Sequence, residues 1–222
     1  MRTYKSHPRV LRNGTKEAEP SVGRYKRGRA TSTKILKVAA RMFASRGYSS
    51  VTTREVARKV GITVPSMYRY FPSKRDLYLA TCSSVLAHFA ARFSAELDRP
   101  GQPIPRLLSF VSRFYLDLLT DPCLAKLLQR EILDSDQKGL QYLTKLHFTD
   151  HFLKVTELCA ELTGREGAAR RAFSIYASTF GYMQLTEIGK AAKVPGIRWN
   201  DSVAMARLIL SESLSAIDWS IA

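Results

Sequence analysis

The stretch TTREVARKVGITVPSMYRYFPSKRDL, residues 52–77, decides the fold. Thr52 and Thr53 are hydroxyl residues placed to cap a helix, and Glu55 stands three residues beyond Thr52 in capping-box register. Val56, Ala57 and Val60 then form one narrow apolar stripe. Gly61 is a stop signal, because glycine enters the left-handed region there without a steric penalty. Thr63 caps a second helix of about two turns, and Pro65 is tolerated because it falls in the first of them. Pro72 ends that helix. Ser73 caps again, and Lys74, Arg75 and Asp76 open a longer one. Two short helices about a tight turn make a helix-turn-helix.

A unit with this spacing lets the N-terminal half of its second helix drop into a major groove. Ser66, Tyr68, Arg69 and Tyr70 can all donate hydrogen bonds, which phosphate oxygens and base edges accept. Lys74 adds a positive charge in the first turn of a helix, where backbone N–H groups already favour anions. A basic helical hairpin with packed tyrosines explains each residue taken singly. The ordered combination is more specific.

Gly47-Tyr48, Thr52-x-x-x-Val56-Ala57 and Gly61-Ile62-Thr63-x-Pro65-x-Met67-Tyr68-x-Tyr70-Phe71-x-x-Lys74-x-x-Leu77 together resemble the N-terminal domain of TetR/AcrR-type transcriptional regulators. The match covers residues 31–78, about a fifth of the chain. The resemblance implies that Thr52, Tyr68, Tyr70 and Lys74 clamp phosphates, and that Thr63, Val64, Pro65, Ser66 and Arg69 approach the bases. Thr53 and Arg54, opening the preceding helix, complete the expected DNA-facing set. Pro65 departs from the glycine usual in the family and removes a backbone donor.

Charge is distributed to match. The formal net charge is +16 over 222 residues. Residues 1–30 carry nine Lys/Arg against two Asp/Glu, and residues 31–78 carry ten against two. The remaining 144 residues hold 16 basic and 15 acidic side chains. A solvated surface has no reason to segregate charge in this way, whereas a polyanionic partner does. A membrane surface would need an amphipathic helix beside the charges, and residues 1–30 have almost no apolar periodicity. No stretch reaches the apolar length of a membrane span, and the N-terminus lacks the apolar core of a secretion signal. Cys82, Cys123 and Cys159 are far apart, sit on apolar helical faces and read as buried thiols in a reducing cytoplasm.

Residues 1–30 mix glycine, proline and basic residues and read as a disordered arm, with the run Arg24–Arg29 adjoining the domain. Two roles stay open for it: contact with phosphates or the minor groove, or a solubilising tail. A first helix is predicted from about Thr33 to Arg46, with Ile35, Leu36, Ala39, Met42 and Phe43 facing a core. A helix from Ser73 to about Leu97 carries a stripe (Leu77, Val85, Leu86, Phe89, Phe93) longer than the motif requires, so it spans two domains. Further helices are predicted over about 105–119, 122–133, 138–162, 166–190 and 201–218, and nothing alternates with period two. The chain reads as all-α: a basic arm (1–30), a helix-turn-helix domain (31–78) and a helical domain (79–222).

By the family resemblance, the second domain encloses an apolar effector pocket whose occupation moves the fourth helix. Its expected lining is aromatic: Phe89, Phe93, Phe110, Phe114 and Tyr115, then Phe148, Phe152, Tyr176 and Phe180. For any single ring, plain core packing is the simpler account. His147 and His151 stand i, i+4 and could face one metal, with Asp150 and Glu187 as unplaced third ligands. A pair alone is more often a polar element of a pocket wall, so no metal and no cofactor is assigned. The last two helices carry more apolar surface than a small domain covers. A symmetric four-helix interface through Phe173, Ala177, Gly181 and Gln184 on one helix, and Val203, Ala206, Leu210 and Leu214 on the other, would bury the surplus.

These features favour a homodimeric, cytoplasmic DNA-binding regulator, most simply a repressor released from a palindromic operator by an apolar or amphipathic small molecule. An activator uses the same reading head. A nonspecific nucleic-acid packing protein would satisfy the charge but needs no half-site spacing. The sequence has no Gly-rich phosphate loop, nucleophile elbow or closely spaced carboxylate pair, so an enzyme is not expected.

Overall fold

The computed structural model describes residues 22–134 and 137–214. Within them lie ten helices and no strand: α1 Val22–Arg46, α2 Thr53–Val60, α3 Val64–Tyr70, α4 Lys74–Leu97, α5 Pro103–Thr120, α6 Pro122–Asp134, α7 Gln137–His147, α8 Thr149–Thr163, α9 Ala168–Ala191 and α10 Ser202–Ser213. No helix of this set is long and apolar enough to cross a membrane.

Local chemistry sets most of the boundaries. Thr52, Thr63, Ser73 and Asp201 each cap a helix by accepting a backbone N–H with the side chain, and the reciprocal Thr52–Glu55 capping box is complete. Asp121 Oδ1 accepts from the amides of Cys123 and Leu124, opening α6 at Pro122. Gly61 closes α2 at φ 81° in the left-handed region.

Three expectations change. α1 begins at Val22 rather than Thr33, so residues 22–30, expected in the arm, are helical, while residues 1–21 lie outside the described residues. Thr33 is not a start: its hydroxyl donates to the Arg29 carbonyl at 3.0 Å, one turn back inside the helix. No proline interrupts residues 21–46, and Lys and Arg are good helix formers, so a helix nucleated by the Ile35–Phe43 stripe propagates backwards at little cost. The helix expected over 138–162 is two helices, broken at Phe148 (φ −110°, ψ −38°). Its apolar period runs through the break, which is why the pattern conceals it. The last helix is described to Ser213, and residues 215–222 lie outside the described residues.

Two hydrophobic cores result. The first gathers Ile35, Phe43, Val56, Val60, Met67, Phe71 and Leu77 from α1–α4, and also draws in Leu127 of α6 and Leu143 of α7. The second gathers Leu107, Phe110 and Phe114 of α5, Val155 and Leu158 of α8, Ile175 of α9 and Ile209 of α10. α4 serves both, because Val85 and Leu86 pack against each core. A buried bond crosses the junction: Tyr78 Oη donates to Glu131 Oε2 of α6 at 2.8 Å. Beside it, Arg130 Nε donates to the Ala44 carbonyl near the end of α1.

Candidate nucleic-acid interface and effector core

Around α2 and α3 the polar residues are organised in short chains. Glu55 accepts from the Thr52 amide and hydroxyl, both at 2.8 Å, and pairs with Arg46 Nη1 at 2.9 Å. The bond from Arg46, followed by those from Thr52, holds its carboxyl down at about 2. Thr52 is exposed, but its hydroxyl is committed to that cap. On α3, the Thr63 hydroxyl and Arg69 Nη2 both donate to Ser66 Oγ at 2.9 Å, which leaves the Ser66 proton free to face outward.

Not every expected residue faces out. Arg54, Thr63, Pro65, Tyr68 and Arg69 are exposed. Thr53 is buried instead, its hydroxyl 3.2 Å from Tyr68 Oη, so it positions that tyrosine rather than reaching a ligand. Thr53 turns inward because its place in the first turn of α2 shares a face with Val56, Ala57 and Val60. Val64 and Tyr70 are half-buried against the first core. Lys74 is fixed from below: its Nζ lies 4.4 Å from the Tyr48 ring centroid and donates to the Ser49 carbonyl at 3.3 Å. Tyr48 is the platform for Lys74, a role that no local sequence signal marks. Lys34, donating to the Val60 carbonyl at 2.9 Å, closes the C-terminal end of α2 and had no sequence signal.

These helices and their caps put donors on one exposed face of a short, rigidly started helix. Residues 35–81 match the profile of bacterial regulatory proteins of the tetR family. The N-terminal part of this chain is a TetR-family domain. The TetR-type segment is 34% identical over 73 residues to the HTH-type transcriptional repressor KstR2 of Mycobacterium tuberculosis, a match covering 33% of this chain and 36% of that one. It thus spans about a third of that relative's length. A longer alignment, 25% identical over 142 residues, covers 64% of this chain and 64% of the nucleoid occlusion factor SlmA of Haemophilus influenzae. The whole fold is similar to that of the transcriptional regulator FadR from Bacillus subtilis in complex with stearoyl-CoA, with a TM-score of 0.67 and 19% identity, over 84% of this chain and 99% of that one. The TetR-type domain therefore sits on an all-helical body whose fold is similar to that of this regulator.

In that body most of the expected pocket rings pack against one another. Phe93 meets Phe110 at 5.7 Å and Phe114 at 5.2 Å, and Tyr176 packs across Phe110, Phe114, Phe148 and Phe152. Phe89 touches the cluster through Phe93, and Phe180 is half-buried against the same core. Tyr115 points elsewhere: its hydroxyl lies 3.1 Å from Thr186 Oγ1 and donates to the Trp199 carbonyl at 2.9 Å, tying α5 to α9 and the following loop. An open groove of about 320 Å³ lies along residues 196–208, bordered by Arg198, Asp201 and Met205.

The two histidines pin helices rather than converge. His147 Nε2 lies 2.8 Å from Ser83 Oγ, while His151 lies 2.8 Å from the Ala90 carbonyl and 3.2 Å from Ser94 Oγ, so both hold α4 at different turns. Burial, with His151 nearby, lowers the His147 pKa. Among the described residues no three His, Cys, Asp or Glu side chains gather as a metal site.

The expected dimer residues divide. Phe173 and Ala177 are exposed and Gly181 and Gln184 half-exposed along one face of α9, which Leu185 and Ile188 extend with 54% and 65% exposure. Of the four expected on or beside α10, only Val203 is exposed. Ala206, Leu210 and Leu214 are fully buried in the second core, because α10 turns its wide stripe inward onto α5 and α9.

Proposed function

We propose that this chain is a DNA-binding transcriptional regulator, most simply a repressor, which works in the cytoplasm as a homodimer on a palindromic operator. The observation that carries the reading is the capped α2–turn–α3 unit, with Tyr68 and Arg69 exposed, Ser66 half-exposed and Lys74 braced on Tyr48. Arg54, Thr63 and Pro65 are exposed as well, and Thr52 shapes the cap. A recognition helix of seven residues reads few bases, so specificity calls for two copies separated by roughly 34 Å, one groove repeat. The apolar face of α9 supports such pairing: Phe173, Ala177, Gly181, Gln184 and Ile188 recur at helical spacing.

Release by a small molecule completes the reading. A structural relative was solved with stearoyl-CoA. An apolar molecule with a polar end would suit the aromatic cluster, and α4 runs from that cluster to the reading head. A ligand that binds one arrangement of α4 more tightly shifts operator affinity by that difference. Selection of binding sites from random duplex DNA by the purified protein at moderate salt tests the proposal. A palindromic consensus is expected; tight binding without one would sink the sequence-reading function and favour a packing protein.

A further inference from the structure

The Tyr176 hydroxyl is buried and has no hydrogen-bond partner among the described residues. Its ring is enclosed by four others, at 5.6 Å from Phe110, 5.8 Å from Phe114, 4.7 Å from Phe148 and 6.2 Å from Phe152. An unsatisfied buried hydroxyl destabilises a folded chain, and phenylalanine would fill the same space without that cost. The one titratable neighbour acting on it, the fully buried Cys159 thiol, makes no hydrogen bond with it. Burial raises the Tyr176 pKa far above the ordinary tyrosine range, so the group stays a neutral donor. A charged group brought against these rings would be stripped of water without a counter-ion.

We propose that the Tyr176 hydroxyl is the polar anchor of the effector site, donating to an uncharged oxygen (carbonyl, ester or alcohol) at the leading end of an otherwise apolar molecule. This rests on the reading of the chain as a ligand-responsive regulator and adds the chemistry of what it answers to. Phe148, the nearest of the four rings, stands at the joint between α7 and α8. The adjacent His147 and His151 hold Ser83, Ala90 and Ser94 of α4. A molecule seated at Tyr176 therefore pushes on the helix that carries the reading head.

The test titrates the full chain, wild type and Tyr176→Phe, with 2-decanone, 1-decanol and decanoate by calorimetry, and repeats each titration with the protein on its selected DNA. The two neutral probes should bind the wild type, and Tyr176→Phe should weaken both by about tenfold, the loss of one hydrogen bond. Decanoate should bind the wild type more weakly than either. The apo variant should melt at or above the wild-type temperature, which excludes damaged folding as the cause. Equal affinity for the variant, tightest binding of decanoate, or a wild type that takes up neither neutral probe would overturn the anchor. Tyr176-dependent binding that leaves the protein on DNA would instead sink the ligand-release reading alone. Release that survives Tyr176→Phe undiminished would sink the anchor alone.

Discussion

Glu55 accepts three bonds, from Arg46 at 2.9 Å and from the amide and hydroxyl of Thr52 at 2.8 Å each. Its carboxyl is lowered from 4.5 to about 2 in the folded chain. A group depressed in this way stabilises the fold fully above its unfolded value, and the contribution is lost as the pH falls from about 4.5 towards 2. Glu55→Gln is therefore expected to lower the thermal midpoint at pH 7. That difference should shrink below about pH 4.5 and vanish near pH 2 in melts of the two proteins. Lys74 poses a different question at the same scale. Braced on Tyr48 and Ser49, it projects a charge from the first turn of α4. Lys74→Ala should weaken binding to all DNA sequences alike and reduce the slope of log affinity against log salt by about one unit. An unchanged slope would remove Lys74 from the phosphate contacts.

Elements were legible where their signals are local. The caps Thr52, Thr63, Ser73 and Asp201 lie within three residues of the amides they satisfy, so sequence spacing is enough to find them. Of the residues expected to face DNA, Arg54, Thr63, Pro65, Tyr68 and Arg69 are exposed, Val64 and Tyr70 are half-buried, and Thr53 turns inward on the narrow apolar face of α2. Features that depend on distant partners were not legible. The Phe148 break leaves the apolar period of α7 and α8 intact, and the inward face of α10 is chosen by α5, some ninety residues earlier (Ser112–Ser202, 3.0 Å). The clearest case is Gly189, on which the Trp199 ring lies so closely that a β-carbon would stand 2.1 Å from it. Nothing in the sequence marks that glycine, because its φ is ordinary and its partner sits across a loop. Gly189→Ala should push the indole away, disturb the Tyr115–Trp199 bond and destabilise the chain by about 1–3 kcal/mol, measured by denaturant unfolding.

Over the molecule as a whole, α9 carries an apolar face that is left uncovered among the described residues. Phe173, Leu185 and Ile188 are each more than half exposed on α9. Ile188→Glu would place a charge at the centre of any interface built there, and it leaves both cores untouched. Sedimentation should then show a monomer at concentrations where the wild type is a dimer, together with loss of palindrome binding far beyond any loss of nonspecific binding. A variant that stays dimeric would move the interface elsewhere.

The two cores also bear on how such a chain can change over generations. Leu127 and Leu143 complete the core beneath the reading head although they belong to α6 and α7, and Val85 and Leu86 answer to both cores at once. A head cut at residue 78 and grafted onto another body would leave behind part of its own interior. Head and body of this protein are not interchangeable modules, and a body that drifts to accept a new ligand must keep these side chains, with Arg130 and Glu131, acceptable to the head.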